Sequence, residues 1–259
     1  MRILLTNDDG IHAVGLRAMH QALAAAGHEV RVVAPLTEQS AVGHAVTMSV
    51  PLKARSIKEN GFSGLGVTGT PVDCVKLGLT TLLGDEPVDL VVSGINAGAN
   101  VGVDILYSGT VAAATEAALM GFPALAVSMD DFAPRDLSAQ AGFAADLAAR
   151  IPWAELPGQC MLNLNFPVHA WEEVKGLRLC PQTSAAYHDW YVARQDPRGN
   201  AYYWLEGEIP KDKVAAGTDR ALLWEGWMTL TPLRFDFTDR GTLKTLETAG
   251  LVDTKPAAE

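Results

Sequence analysis

The sequence predicts an α/β protein: a doubly wound, mostly parallel sheet with a β-rich C-terminal extension. Three observations carry this expectation. Short apolar runs alternate with segments of helical period from residue 2 to about 150. Polar clusters follow several of those runs, where an open parallel sheet gathers its ligands. Past a boundary near 170 to 185 the texture changes, with aromatic residues crowded between Tyr187 and Trp204. At 259 residues, 48% hydrophobic and 19% charged, the chain suits one large domain with an appendage. We divide it into a core, 1–180, and an extension, 181–259.

The elements follow in order. Arg2 to Thr6 is a short apolar strand ending in Asn7-Asp8-Asp9-Gly10. Val14 to Ala26 carries apolar residues at helical spacing, and Gly27 supplies its C-terminal stop. Glu29 to Pro35 is a second strand closed by proline, followed by a long polar loop from Leu36 to about His44. The β-α-β order requires a parallel pair. Thr70 then serves as N-cap with Pro71 at the first helical position, and the apolar face Val72, Val75, Leu79, Leu82 runs to Gly84. Val88 to Ser93 is a buried strand, and Gly94 to Gly109 is a Gly/Asn-rich stretch. A helix from about Thr110 to Met120 leads to the strand Pro123 to Ser128. Ser138 is expected to cap a helix ending near Arg150, and Cys160 to Asn165 is strand-like. Hairpins and a last helix near Leu243 to Ala249 complete the chain. The aromatic segment is read as core, base-stacking surface or subunit interface, with interface ranked first.

Charge and cysteine usage exclude several classes. Lys plus Arg is 20 against 30 for Asp plus Glu, a formal charge of −10 that repels a nucleic-acid polymer. Three cysteines without a CxxC spacing oppose a disulfide framework or a structural zinc site. Neither a leader pattern nor an apolar run of about 20 residues is present, so no membrane partner is expected and the cytoplasm is the expected compartment.

The chemistry concentrates at strand ends. Asp8 and Asp9 are adjacent carboxylates, an arrangement best tolerated around a cation. Ser40 and Asn96, both neutral oxygen donors, are expected on the same rim, and an oxygen-only set points to Mg²⁺ or Mn²⁺. Taken alone, Asp8-Asp9-Gly10 equally fits a helix cap and turn, and Ser40 fits a loop hydrogen bond. Small residues from Gly94 to Gly102, then Tyr107-Ser108-Gly109-Thr110 at a helix start, describe an anion site built from amides and hydroxyls. Capping by Ser108 is the simpler alternative. His12 and His44 fall in loops near this rim, where either can bind phosphate or move a proton, although surface histidines are more often incidental. A cation site beside an anion site suits in-line attack of water on a phosphate ester. No GxxxxGK[ST] occurs, and the glycines do not follow the dinucleotide pattern at the first strand. The competing class is a non-catalytic nucleotide-binding regulatory module using the same site.

Asn7-Asp8-Asp9-Gly10, Ser40 to His44, Gly69 to Val75 and Ser93-Gly94-Ile95-Asn96 through Tyr107 to Val111 resemble, in order and spacing, the SurE-type survival nucleotidases. Asn163 to Pro167, Asp196 to Asn200 and Thr229 to Leu233 continue the match. The resemblance implies a Rossmann-like core and a metal-dependent phosphomonoesterase acting on nucleoside 5′- and 3′-monophosphates, in some members also on short polyphosphate. It further implies a C-terminal extension exchanged within a homodimer or tetramer. Carried residue by residue, it makes Asp8, Asp9, Ser40 and Asn96 ligands of one Mg²⁺ or Mn²⁺ per subunit. Ser108, Gly109 and Thr110 become phosphate-binding. In our own reading of the chemistry, Asn96 also contacts phosphate and Asp8 or Asp9 takes the proton of the attacking water. His44 marks a possible substrate loop. The chain departs from many members at Leu36, where an acidic residue is usual, and at Gln39, where a basic one is.

Overall fold

In the computed structural model, which describes residues 1–251, the alternation read from the sequence becomes the following order. Strand β1 (Arg2–Thr6) is followed by α1 (Val14–Ala25), β2 (Glu29–Pro35), β3 (Ala54–Glu59), β4 (Phe62–Val67) and α2 (Pro71–Leu77). Then come β5 (Leu90–Ala97), α3 (Gly109–Leu119), β6 (Ala124–Met129), α4 (Ser138–Arg150) and β7 (Cys160–Phe166). The remainder holds β8 (Leu177–Leu179), β9 (His188–Gln195), β10 (Ala201–Glu208), α5 (Asp219–Trp224), β11 (Met228–Arg234) and α6 (Arg240–Thr248).

Nine strands form one sheet in the order β3-β4-β2-β1-β5-β6-β7-β11-β8, and β9 pairs with β10 in a separate antiparallel ribbon. From β4 to β7 all neighbours run parallel, while β3 and β11 join antiparallel. Successive side chains of a strand face opposite layers. Ile3 and Leu5 therefore pack with Leu16 and Met19 of α1 and Ala141 of α4, whereas Leu4 packs with Val75 of α2 and Val111 of α3. Burial on both faces explains why β1, β5 and β6 read as continuous apolar runs rather than alternating ones.

Local signals hold where they rest on backbone chemistry. Thr70 accepts a hydrogen bond from Asp73 N while the Asp73 carboxylate accepts from Thr70 N, a complete capping box with Pro71 next to it. Three expectations need correction. Ser138 is the first helical residue, not the cap: Asp136 Oδ1 accepts from both its backbone N, at 2.9 Å, and its hydroxyl, at 2.6 Å. The strand expected to end at Ser93 continues to Ala97, so Asn96 lies on sheet backbone. Residues 54–67, for which the sequence suggests no element, form the β3–β4 hairpin at the sheet edge, where Ala-Arg-Ser-Ile-Lys-Glu is mostly exposed and shows no apolar period. Within 181–259, residues 228–234 return as β11 to pair with β7 in the central sheet.

Candidate active site

The parallel strands end together at one edge, and β1 delivers Asp8 and Asp9 there. Asp8 is almost fully buried, and its carboxylate accepts from Thr110 N at 3.0 Å and from the Thr110 hydroxyl at the N-terminus of α3. Gly109 makes that approach possible: a Cβ at this position would stand 2.8 Å from Asp8 Cβ and 3.0 Å from Pro71 Cγ. Burial raises the Asp8 carboxyl above the ordinary carboxylate value, although the α3 amides and the Thr110 hydroxyl favour its charged form. Asp9 accepts from Ala97 N at 3.1 Å. Burial first, and the Asp8 charge second, push its pKa up to about 7.

Asn96 arrives from β5. The strand kinks just before it, with a register shift against β6 between Ser93 and Asn96. Gly94 sits there at φ +131°, where a Cβ would lie 2.2 Å from Val127 O. The Asn96 amide donates to Gly98 O at 2.7 Å, which leaves its side-chain oxygen as the group to offer a ligand. Ser40 comes from the loop after β2, pinned where Gln39 N donates to Asp8 O at 2.7 Å and Gly43 N donates to Tyr107 O at 2.9 Å. Its hydroxyl donates to Glu38 Oε1 at 2.6 Å.

Asp8, Asp9, Ser40 and Asn96 line one open cavity of about 550 Å³. Glu38 and Asp104 line it as well, so among the described residues it collects four carboxylates and neither lysine nor arginine. Three aromatic side chains complete it: Tyr107 before α3, Phe132 after β6 and Tyr187 from the C-terminal part. Phe132 escapes the sequence reading, and Tyr107 enters it only as part of the α3 start. Both lie in irregular segments without period, where the one signal is a large aromatic beside a glycine-rich or acidic loop.

The wall opposite β1 is held from a distance. Asn100, in the loop after β5, donates its backbone N to Asn165 Oδ1 at 2.8 Å and its amide to Ser128 Oγ at 2.8 Å. Asn163 Nδ2 donates to Asn100 O at 2.8 Å. These contacts give the Asn163-Leu164-Asn165 segment of β7 a physical role. Asp219 of α5 accepts from Gly102 N and Thr183 N, both at 2.8 Å, and Arg220 is ion-paired with Asp104. The Tyr187 hydroxyl lies beside Asp104 and Arg220.

The other predicted residues hold contacts of their own, some at this cavity and some away from it. Ser108 lines the cavity, yet its hydroxyl accepts from Val111 N at 3.0 Å as the cap of α3. Gly109 and Thr110 sit behind Asp8 and support that carboxylate. His44 does not line this cavity: Nε2 lies 2.7 Å from Glu116 Oε2 on the face of α2 and α3, and Lys76 Nζ holds the other Glu116 oxygen at 2.6 Å. His12 stands in a separate groove beside Arg17 and Glu59.

As a cation site, the set offers two carboxylates, an amide oxygen and a hydroxyl, hard oxygen donors that fit a small divalent ion. Among the described residues no three His, Cys, Asp or Glu side chains cluster as metal ligands, so half of this set is neutral. Also among the described residues, no helix is long and apolar enough to cross a membrane.

Known proteins are similar to this chain in sequence and fold. The model of the family described as Survival protein SurE matches residues 3–189. A protein of Nitratidesulfovibrio vulgaris strain Miyazaki F, named 5′-nucleotidase SurE, is 66% identical over 246 residues, covering 95% of this chain and 91% of its own. One of the same name from Gloeobacter violaceus is 45% identical over 241 residues, covering 92% and 91%. The crystal structure of the SurE protein from Aquifex aeolicus superposes with a TM-score of 0.82 at 35% identity, covering 96% of this chain and all of that one. On the family match, the identity and the shared fold, this chain belongs to the SurE survival protein family.

Proposed function

We propose that the chain is a nucleotide phosphatase that hydrolyses nucleoside monophosphates to nucleoside and phosphate, using one Mg²⁺ or Mn²⁺ per subunit. The single observation that carries this reading is the charge of the cavity. Among the described residues four carboxylates line it and no lysine or arginine does, and only Asp104 has a cation of its own, Arg220 behind it. A phosphate dianion cannot enter such a field unaided, because like charges a few ångströms apart repel by about 1 kcal/mol even in bulk water and by more near protein. The relatives named 5′-nucleotidase support the substrate class.

Asp8, Asp9, Ser40 and Asn96 would hold the ion. When bound, a divalent cation neutralises phosphate charge and acidifies a nearby water. The chain's own residues do the rest. Gly109 and the Thr110 amide and hydroxyl fix the Asp8 carboxylate, and Asn96 is oriented by its bond to Gly98 O. Water attacks phosphorus in line with the departing ester oxygen, Asp9 accepts the water's proton at its carboxylate, the P–O ester bond breaks, and the departing oxygen takes a proton from solvent to become the nucleoside hydroxyl. The N-terminus of α3 adds favourable potential for the phosphoryl oxygens, with Ser108 at its mouth.

Finer points belong to the same proposal. The site takes 3′- as well as 5′-monophosphates and trims short polyphosphate. The extension is exchanged within a homodimer or tetramer. The β9–β10 ribbon supports that arrangement, since it pairs with no strand of the main sheet and exposes Tyr191, Tyr203, Trp204 and Leu205. Three unpaired cysteines are consistent with the cytoplasm. The test is phosphate release from nucleoside 5′- and 3′-monophosphates with Mn²⁺, Mg²⁺ or chelator, in wild type and Asp8→Asn. Metal-dependent release that vanishes in folded Asp8→Asn is expected. Metal-dependent nucleotide binding without release would instead identify a regulatory binding module.

A further inference from the structure

We propose that Tyr107, Phe132 and Tyr187 form a base-stacking wall that selects nucleoside monophosphates over ring-less phosphate monoesters while leaving the identity of the base almost unread. This rests on the phosphatase reading above and specifies its substrate recognition.

The three rings come from three separate segments yet line the cavity that holds Asp8 and Asp9. Phe132 is 86% exposed and Tyr107 58% exposed, although each is large and apolar. Among the described residues none of the three pairs with another aromatic ring, so packing within the chain does not account for them. Two are positioned from behind. The Phe132 ring lies against Gly98, where a Cβ would meet Cε1 at 2.8 Å, so glycine leaves room for it. Tyr187 is positioned beside the Asp104–Arg220 pair.

Several polar groups near these rings are engaged within the chain. Asn100 spends its amide on Ser128, Asp104 is paired with Arg220, and Asn96 spends its donor on Gly98 O. Ala97, Gly98 and Ala99 line the same cavity and carry no side-chain donor or acceptor. A base held here is recognised by its face, because every base has a π-face and stacking tolerates sequence. Larger purine rings gain more contact area than pyrimidines.

The test uses the full-length protein with Mn²⁺ and compares AMP with ribose 5-phosphate, which carries the same phosphate and sugar without a ring. In Phe132→Ala the ratio of kcat/KM for AMP to that for ribose 5-phosphate is expected to fall about tenfold, a typical loss on removing one stacking partner. The loss should lie in KM for AMP rather than kcat, and Phe132→Trp should restore the ratio. AMP and GMP should differ by no more than about threefold, since no edge is read. An unchanged ratio in both Phe132→Ala and Tyr107→Ala, or a Phe132→Trp variant as poor as Phe132→Ala, overturns the wall. Should wild type release phosphate from neither compound, the phosphatase reading fails instead. Calorimetric binding of adenosine against ribose then reads stacking directly: weaker adenosine binding in Phe132→Ala supports the wall, and identical binding removes it.

Discussion

Asp8 and Glu116 are both buried carboxylates in contact with α3, 3% and 7% exposed, yet they are electrostatic opposites. Glu116 carries its cations with it: Lys76 and His44 each sit within hydrogen-bond distance, and these contacts hold its carboxyl below the ordinary value. Among the described residues Asp8 has only amides and one hydroxyl, with a second carboxylate next to it, and burial raises its carboxyl. A buried carboxylate supplied with its own cations ties elements together, here the His44 loop, α2 and α3. One without them keeps its affinity for a cation from solution. The same contrast separates a structural acid from a candidate ligand without appeal to motif.

The comparison can be broken in order of effect. Asp8→Asn should cost about 10³-fold in kcat, as expected when transition-state charge stabilisation is removed, while circular dichroism stays native. Glu116→Gln should leave kcat within about twofold, since it lies outside the cavity; a loss as large as that of Asp8→Asn would erase the distinction.

Gly109→Ala sharpens the Asp8 side. Its new methyl must push α3 away from Asp8, and a misplacement of this kind costs about 10²-fold in activity. Metal affinity, read by titration calorimetry, should fall with it. Activity equal to wild type would show that the α3 terminus does not position the carboxylate.

Glu116→Gln sharpens the other side. His44 and Lys76 are partly exposed, so the loss is screened and should amount to about 1–2 kcal/mol in urea unfolding, below the figure for a fully buried pair. No change would mean that the triad is a surface pair only.

The smallest effect is in pH. Asp9 is raised to about 7, so its contribution to stability is full below the ordinary 3.8 and is lost as pH rises through about 7. Glu116 is lowered, so its contribution is full above 4.5 and is lost as pH falls through its folded value. Metal-free protein should lose about 2–4 °C in Tm between pH 5.5 and 8.5. Asp9→Asn or added Mn²⁺ should flatten that slope, and Glu116→Gln should not. A slope that survives Asp9→Asn assigns the titration to another group.

Legibility followed range. That Asp8, Asp9, Ser40 and Asn96 come together in one cavity was readable because each follows a recognisable strand or stands near its end, and open parallel sheets bring those ends together. The helix caps at Thr70 and Ser108 were readable because a cap spans three residues. The contact that Thr110 makes with Asp8 is not legible. Helix position predicts a free hydroxyl, but Asp8, 102 residues away in sequence, takes it. His44 falls near the substrate by sequence because its loop follows Ser40, whereas Glu116 draws it to another face. The aromatic wall and the β3–β4 hairpin lacked any period to read.

By itself the sequence determined the parallel α/β layering, the main caps and the gathering of oxygen donors at the ends of β1 and β5. These depend on side-chain period and on contacts a few residues apart, which the local chain dictates. Only the tertiary structure decided which cations Glu116 keeps, that Asp8 keeps none, that β11 returns to β7, and that three distant aromatic rings share one cavity. Those are contacts between residues far apart in the chain. Their partners are chosen by how the packed layers close on one another, which no local pattern records.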